Sequence, residues 1–404
     1  MIRLSTSWMY QQSLTTMLNQ QGVLSATQNQ VSSGQRINLA SDDPAGAAQV
    51  VSLNHVLAST AQYSANIGAA NARLSTESSA LDSFNALLDQ ARSMAVQGIN
   101  GTLSASDRQD MATQLVQIRA QLVQLANSTD ASGNALFAGT STTTTPFVLN
   151  GDGSVSYAGN GGNQMTAIGS GLRIANSDAG AGLFMDIPAG NGSFVASAAA
   201  GNGGTLLVGA TSVTDSSAWK AATAAGPVNY QISFDDAGNW TATDAGSGDA
   251  VAGGSYRDGG SISFNGMTIA LSGTPAAGDT VNVGSGRTQD VFATLTHMIA
   301  ALGDSSLDDT QLNNAMSRQM ESIDRAQDRI SSTQTDVGGR LNRLALQQST
   351  YSDLTLTYRS TLSDVQDVDM ASAISQLMLQ STALQASQQT FAKVQGMSLF
   401  DYLK

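Results

Sequence analysis

The sequence contains no cysteine among its 404 residues, which excludes disulfide bonds and thiolate metal sites. Charge is also scarce, since only 12% of the residues are Asp, Glu, Lys or Arg, against roughly 25% in an ordinary soluble domain. The net charge is −13, whereas phosphate recognition needs clustered Lys and Arg side chains. The composition therefore argues against a nucleic-acid partner and indicates a polar, weakly charged surface of the kind that repeating contact surfaces have.

Long apolar runs are missing too. No stretch of the sequence approaches the roughly 18 consecutive apolar residues that predict a transmembrane helix. The first residues, "MIRLSTSWMYQQ", lack the apolar core and the small-residue cleavage site of a secretory signal peptide. We therefore expect no membrane partner, and we expect any export to use a route other than a cleaved signal peptide.

Signatures of catalysis are also absent from the sequence. There is no GxxxxGK[ST] phosphate loop, no GxGxxG between a strand and a helix, and no GxSxG nucleophile elbow. The two histidines, His55 and His297, are far apart in the sequence and lie in helical patterns, where a solvated or core imidazole is commoner than a metal ligand. The sequence therefore predicts no catalytic residue, no cofactor, no metal site and no enzymatic activity.

What is present is a chain that changes character twice, near residues 146 and 288. The flanking parts have helical periodicity, with a capping box at Ser104 to Asp107. The middle part alternates apolar and polar residues around turns, including the pair Asn265-Gly266. We predict an α+β fold, an elongated helical rod made as an antiparallel coiled-coil bundle from the N- and C-terminal segments, with an inserted β-rich domain. The predicted domains are terminal coiled-coil helices at 1–43 and 362–404, a helical rod domain at 44–146 and 288–361, and a β-rich outer domain at 147–287.

Two adjacent carboxylates, Asp42 and Asp43, stand directly before a proline. A catalytic dyad needs two carboxylates that converge on one pocket, and adjacent side chains usually point apart. The same block is also a helix start, with Asp43 as the N-cap and Pro44 as the first helical residue. Ser41 and Asp42 would then bring polar and negative groups to the positive end of the helix dipole. We interpret the block as a cap.

The two ends of the chain each carry an apolar stripe at helical spacing. We expect no globular domain to flank these stripes on their outer side, so each stripe needs a partner, and the two can cover each other. A closed intramolecular bundle is one outcome, and self-association through the termini is the other. The candidate interface residues are Leu4, Trp8, Leu14, Leu18 and Leu24 at the N-terminal end and Met370, Ile374, Leu377, Leu384 and Phe391 at the C-terminal end.

Four stretches of the two flanking parts resemble the bacterial flagellin superfamily, and within it the proteins of the hook–filament junction. The likeness covers about the first 145 and the last 115 residues. The stretches are "MIRLSTSWMYQQ", "SSGQRINLASDDPAGAAQVVSL", "NGTLSASDRQDMATQLVQIRAQLVQLANSTDASGNALFAGT" and "LTLTYRSTLSDVQDVDMASAISQLMLQSTALQASQQTFAKVQGMSLFDYLK".

The resemblance implies a structural adaptor of the bacterial flagellum that joins the hook to the filament by self-assembly through its terminal helices. It implies extracellular localisation, type III export and a cytoplasmic export chaperone at the C-terminal helix. The implied partners are further copies in a ring or short helical layer, another hook-associated protein on the hook side, and flagellin on the filament side. Two alternatives stay open, a filament flagellin and a secreted binder or adhesin whose β domain contacts glycans or host surfaces.

Overall fold

A computed structural model describes residues 6–396 of the chain. The described residues fall into two compact units, one drawn from Met1–Ala65 and Leu346–Lys404 and the other from Asn66–Ala345. Leu4 lies outside the described residues. The boundaries between these units, at residues 65/66 and 345/346, fall within two long helices. The predicted domain limits at residues 43, 146, 287 and 361 stay predictions.

The long helices of the described residues flank a region of strands, as predicted, and one short helix, Ser216–Ala222, lies within that region. Ser104 caps one of them through the predicted box, since its hydroxyl accepts from the Asp107 N–H while the Asp107 carboxylate accepts from the Ser104 N–H. Gly338 and Gly339 do not interrupt the helix that contains them, because about 1 kcal/mol per glycine is small beside the packing of a long helix. The helices are α1 (Thr6–Ser33), α2 (Pro44–Gly98), α3 (Ala105–Ala126), α4 (Ser216–Ala222), α5 (Val291–Gly303), α6 (Asp309–Gln366) and α7 (Met370–Gly396).

The strands form antiparallel sheets. The largest has the order β10-β9-β8-β13-β6, a three-stranded sheet has the order β11-β12-β7, and the remaining pairs are β1-β2, β3-β4 and β5-β14. Asn265 and Gly266 both have positive φ and connect β11 to β12, which confirms the predicted hairpin and its two-residue turn. The strands are β1 (Phe147–Leu149), β2 (Val155–Tyr157), β3 (Met165–Gly169), β4 (Leu172–Ala175), β5 (Ile187–Pro188), β6 (Phe194–Ala198), β7 (Leu207–Val213), β8 (Asn229–Phe234), β9 (Asn239–Asp244), β10 (Ala250–Ser255), β11 (Ser261–Phe264), β12 (Met267–Ser272), β13 (Thr280–Ser285) and β14 (Thr288–Gln289).

Two hydrophobic cores lie within the unit Asn66–Ala345. The β core is built by inward-facing residues of the two larger sheets, such as Phe194, Ile232 and Val283. The helical core joins α2, α3, α5 and α6. The predicted α+β class, with helical ends around an inserted antiparallel β region, is therefore confirmed.

The first part of the insertion belongs to the helical core instead of the β core. Phe184 lies in a short π-helical turn, Ala181–Met185, and its ring centre is 4.4 Å from that of Phe84 on α2 and 5.3 Å from that of Phe137. Phe147 on β1 and Ile187 on β5 are buried in the same core. The chain from 147 to 187 thus completes the helical core, and only the segment after Phe194 has a core of its own.

This division predicts which part of the insertion can be removed. The Ala189 N–H donates to the Arg287 carbonyl at 2.8 Å, so joining Gly190 directly to Gly286 would close the gap with a two-residue Gly-Gly hairpin turn. We expect the chain without residues 191–285 to keep its helical circular dichroism and a cooperative thermal transition. Removal of 150–285 should abolish that transition, because losing one buried Phe costs about 3–5 kcal/mol and this deletion removes several core side chains. Equal stability of the two deletion variants would contradict the assignment of 147–187 to the helical core.

A cluster of largely buried charged side chains connects two loops of this unit to the helices α2 and α6. Arg340 on α6 donates to both carboxylate oxygens of Asp178, at 2.8 and 2.9 Å, and Arg73 on α2 pairs with Asp130. The Asp178 N–H donates to Oε1 of Glu77 at 3.1 Å, while Oε2 of Glu77 is buried without a hydrogen-bond partner. Burial, followed by repulsion from Asp178, raises the pKa of Glu77 to about 8. Glu77 is therefore mostly protonated at neutral pH.

Candidate assembly interface

The unit that contains the chain ends has almost no core among its described residues. Its only buried apolar side chains are Ile37 and Ala373. Most of the large apolar side chains that are exposed in the described part of the chain lie in this same unit. They are Trp8, Tyr10, Leu14, Leu18, Val23, Leu39, Val51, Val56, Leu346, Leu356, Met370, Ile374, Met378 and Leu379.

The terminal helices pair with each other. The rings of Tyr10 on α1 and Phe391 on α7 are 5.1 Å apart, and at the opposite end of the pair Gln35 and Asp367 form an antiparallel bridge. The helices are therefore antiparallel. The inner residues of each helix recur at alternating spacings of three and four, which is the repeat of a coiled-coil seam. They are Met17, Gln20, Leu24, Thr27 and Val31 on α1, and Ala373, Leu377, Gln380, Leu384, Ser387 and Phe391 on α7.

A short joint closes the base of this pair. The Arg36 N–H donates to the Gln366 carbonyl at 2.7 Å, and the Val368 N–H donates to the Gly34 carbonyl at 3.0 Å. Gly34 has a φ of 73°, a left-handed conformation that glycine adopts without steric cost and that ends α1 here. The guanidinium of Arg36 also donates to the Val365 carbonyl at 2.6 Å. The segments after α1 and before α7 are thus held side by side.

The structure places the predicted interface residues in two groups. Leu24, Leu377, Leu384 and Phe391 are half-buried along the α1–α7 seam. The others are between 39% and 59% exposed in the described part of the chain, although the sequence had placed all of them on common stripes. These exposed residues are Trp8, Leu14, Leu18, Met370 and Ile374.

Sequence reasoning missed two exposed residues of α7. Met378 is 66% exposed and Leu379 is 68% exposed. Met370, Ile374 and Met378 are spaced by four, so they lie on one helical face, and this spacing could have revealed the second stripe. The helix α7 therefore has one apolar face toward α1 and another toward solvent.

The Asp-Pro block starts α2. Oδ1 of Asp43 accepts from the Gly46 N–H at 2.9 Å, and this bond, followed by the one from Arg36, holds the pKa of Asp43 below its ordinary value. Pro44 is the first residue of α2. Oδ2 of Asp42 instead accepts from two N–H groups of the preceding turn, Asn38 and Leu39, and Ser41 is an exposed turn residue. The two carboxylates thus serve different backbone segments and do not converge.

Two other kinds of site, a metal centre and a membrane span, can be compared with the described part of the chain. Within residues 6–396, no three side chains among His, Asp and Glu are grouped closely enough to hold a metal ion. None of the described helices has the length and hydropathy needed to cross a membrane.

These features define a class of protein in which paired terminal helices with uncovered apolar faces bracket an inserted β region. Family models support this class. The model for the bacterial flagellin N-terminal helical region matches residues 4–142, and the model for the bacterial flagellin C-terminal helical region matches residues 320–403. A model for a D2-like domain of flagellar hook-associated protein 1 matches residues 197–285, which is nearly the segment with its own β core.

Individual relatives are more specific. Flagellar hook-associated protein 3 of Escherichia coli K12 is 28% identical over 407 residues and aligns with 100% of both chains. The crystal structure of Xanthomonas campestris FlgL is 30% identical, has a TM-score of 0.69, and covers 77% of this chain and 99% of that one. The flagellar junction protein FlgL of Legionella pneumophila is 28% identical, also has a TM-score of 0.69, and covers 79% and 100%. The chain belongs to the flagellin superfamily, in the family of flagellar hook-associated protein 3 (FlgL).

Proposed function

We propose that this chain is a structural adaptor of the bacterial flagellum that joins the hook to the flagellin filament by self-assembly through its terminal helices. The observation that carries the proposal is the terminal unit, where the described residues include only two buried apolar side chains and many exposed ones. Such a surface is stable in water only when other subunits cover it. The full-length match to hook-associated protein 3 favours an adaptor over a filament flagellin or an adhesin.

The finer parts of the proposal concern partners. Copies of the chain form a ring or short helical layer, with another hook-associated protein on one side and flagellin on the other. A cytoplasmic chaperone covers the C-terminal helix before export, since Met378 and Leu379 on α7 are exposed and would otherwise associate prematurely. The protein acts outside the cell, as a structural component of the flagellum.

Immunogold labelling tests the adaptor function directly. Because an adaptor occupies one layer, gold particles should lie in a short band at the hook end of each filament. The antibody should be raised against residues 194–285, because this segment has its own hydrophobic core. Label along whole filaments would establish a filament flagellin, and label on cells without relation to the flagellum would favour the adhesin.

Substitutions on α7 separate its two apolar faces. Leu384→Asp places a charge in the half-buried α1–α7 seam and should destabilise that pair by about 2–4 kcal/mol. Ile374→Asp changes a residue that is 39% exposed, so it should leave the pair intact but block incorporation into the flagellum. Gln385→Asp, at an exposed polar position, serves as the control and should assemble. Recovery from sheared flagella measures incorporation, and normal recovery of the Ile374→Asp chain would remove this face from the interface.

A further inference from the structure

The α1–α7 seam alternates between two kinds of layer. Tyr10 contacts Phe391, and stepping seven residues along each helix from this contact brings Met17 opposite Leu384 and Leu24 opposite Leu377. Between these apolar layers lie polar or small ones, with Gln20 opposite Gln380 and Thr27 opposite Ala373, and the exposed Ser13 lies opposite Ser387 toward the outer end of the pair. The described seam therefore repeats its apolar layers every heptad on both helices.

Such a repeat does not by itself select one alignment. A slip of seven residues would set Met17 against Phe391 and Leu24 against Leu384, so large apolar side chains would still meet. The small layers tolerate the same slip, because serine, threonine and alanine are similar in volume. Thr27 also satisfies its hydroxyl within α1, donating to the Val23 carbonyl at 3.1 Å.

The middle polar layer is different because it has a long amide side chain on both helices. Oε1 of Gln20 and Oε1 of Gln380 are each buried without a hydrogen-bond partner, and leaving such an atom unpaired costs about 1–3 kcal/mol. The oxygen and nitrogen of an amide exchange places by a half-turn about the last side-chain bond. A half-turn of one amide would therefore present an N–H donor in the place of its unpaired oxygen.

We propose that the amides of Gln20 and Gln380 hydrogen-bond to each other across the seam and set the register in which α1 and α7 pair. After a seven-residue slip in one direction, Gln20 would face Ser387 and Gln380 would face Thr27, whose hydroxyl is already used. A buried polar pair commonly fixes coiled-coil register in this way, at some cost in stability. The joint at Arg36 holds one end of the pair, and the glutamine layer holds it about two heptads farther along α1.

The register of α1 and α7 matters for assembly only if the proposed adaptor function holds, and in that respect the inference rests on the proposed function. Register decides which exposed residues of α1 lie beside the exposed stripe of α7, and hence the surface that neighbouring subunits meet. Its test uses the purified full-length chain, so a failure there is distinguishable from a failure of the adaptor function, which is tested in cells.

The absence of cysteine makes the register measurable by introduced disulfides. Met17→Cys with Leu384→Cys reports the native register, and Met17→Cys with Phe391→Cys or with Leu377→Cys reports a slip in one direction or the other. Equilibration of each double-cysteine variant with reduced and oxidised glutathione gives the effective concentration of its two thiols, which measures how often they meet. In the chain with both glutamines, the native pair should have the highest value.

The variant Gln20→Ala/Gln380→Ala converts the glutamine layer into one of the small layers. The ratio of slipped to native effective concentration should then rise about tenfold, which corresponds to the loss of one well-paired buried interaction. The matched control Ser13→Ala/Ser387→Ala changes a neighbouring layer and should leave the ratio unchanged. The pair Gln20→Glu/Gln380→Lys, which replaces the amide pair by opposite charges, should restore the native preference.

Three results would overturn the inference. One is an unchanged ratio in the double alanine variant, and another is an equal rise in the serine control. The third is equal effective concentrations of native and slipped pairs in the chain that keeps both glutamines. The contribution of the joint is common to all variants and cancels in the comparison.

Discussion

Deletion of the gene for this chain should leave cells with complete hooks but without filaments, and with intact flagellin in the culture medium. An adaptor provides the surface on which the first flagellin subunits assemble. Flagellin that is exported without this surface cannot begin a filament. Swimming should be abolished, and electron microscopy of the cells with immunoblotting of the medium measures both effects. The terminal unit with its uncovered apolar faces is the structural reason for expecting so large an effect from one component.

Complementation provides the control for this experiment. The full-length gene should restore filaments, and so should the chain without residues 191–285, since that deletion leaves both terminal helices and the helical core in place. A filament flagellin would give another result, with hooks intact but no flagellin in the medium. Unchanged swimming would favour the adhesin and contradict the adaptor function.

Glu77→Gln should make the protein markedly more stable at pH 9 than the unsubstituted chain, and should leave its stability at pH 5 nearly unchanged. The pKa of Glu77 is raised from 4.5 to about 8 in the folded state, so the fold favours the protonated acid. A carboxyl with a raised pKa contributes its full stability below about pH 4.5 and loses it progressively as the pH rises through 8. The difference between these two pKa values corresponds to a loss of at most about 5 kcal/mol.

Urea unfolding of the two proteins at pH 5, 7 and 9 measures this difference. Glutamine keeps the shape of the protonated acid and cannot ionise, so its free energy of unfolding should lack the decline that Glu77 causes. Asp236→Asn makes the same chemical change on an exposed turn and should alter the free energy of unfolding by less than about 0.5 kcal/mol at each pH. Parallel stability profiles for Glu77→Gln and the unsubstituted chain would show that Glu77 ionises freely in the fold.

Much of the secondary structure could be predicted from the sequence because its signals are local. The capping box of Ser104 and Asp107, the turn at Asn265-Gly266 and the start of α2 at Pro44 each depend on residues within four positions of one another. The helical periodicity of both ends and the alternation in the middle likewise depend on neighbours in the chain. These signals were sufficient for the α+β class, and the motifs of the two ends were sufficient for the family.

The candidate interface was predictable only in part. The sequence showed that α1 and α7 carry apolar residues at helical spacing, but it did not show which of those residues meet. Leu384 lies in the seam while Ile374 lies outside it, and this difference depends on the rotation of one helix relative to the other. The tertiary structure decided that rotation through contacts such as that of Tyr10 with Phe391.

By itself, the sequence predicted the cap at Ser104, the turn at Asn265-Gly266 and the helix start at Pro44, and with them the α+β class and the family. Only the tertiary structure decided that Phe184 completes the helical core, and that Glu77 is buried beside Asp178, 101 residues away in the chain. The physical reason is that caps, turns and periodicity are interactions between near neighbours. The burial of a side chain, and with it the pKa of a carboxyl group or the partner of an apolar face, depends instead on which distant segments pack together.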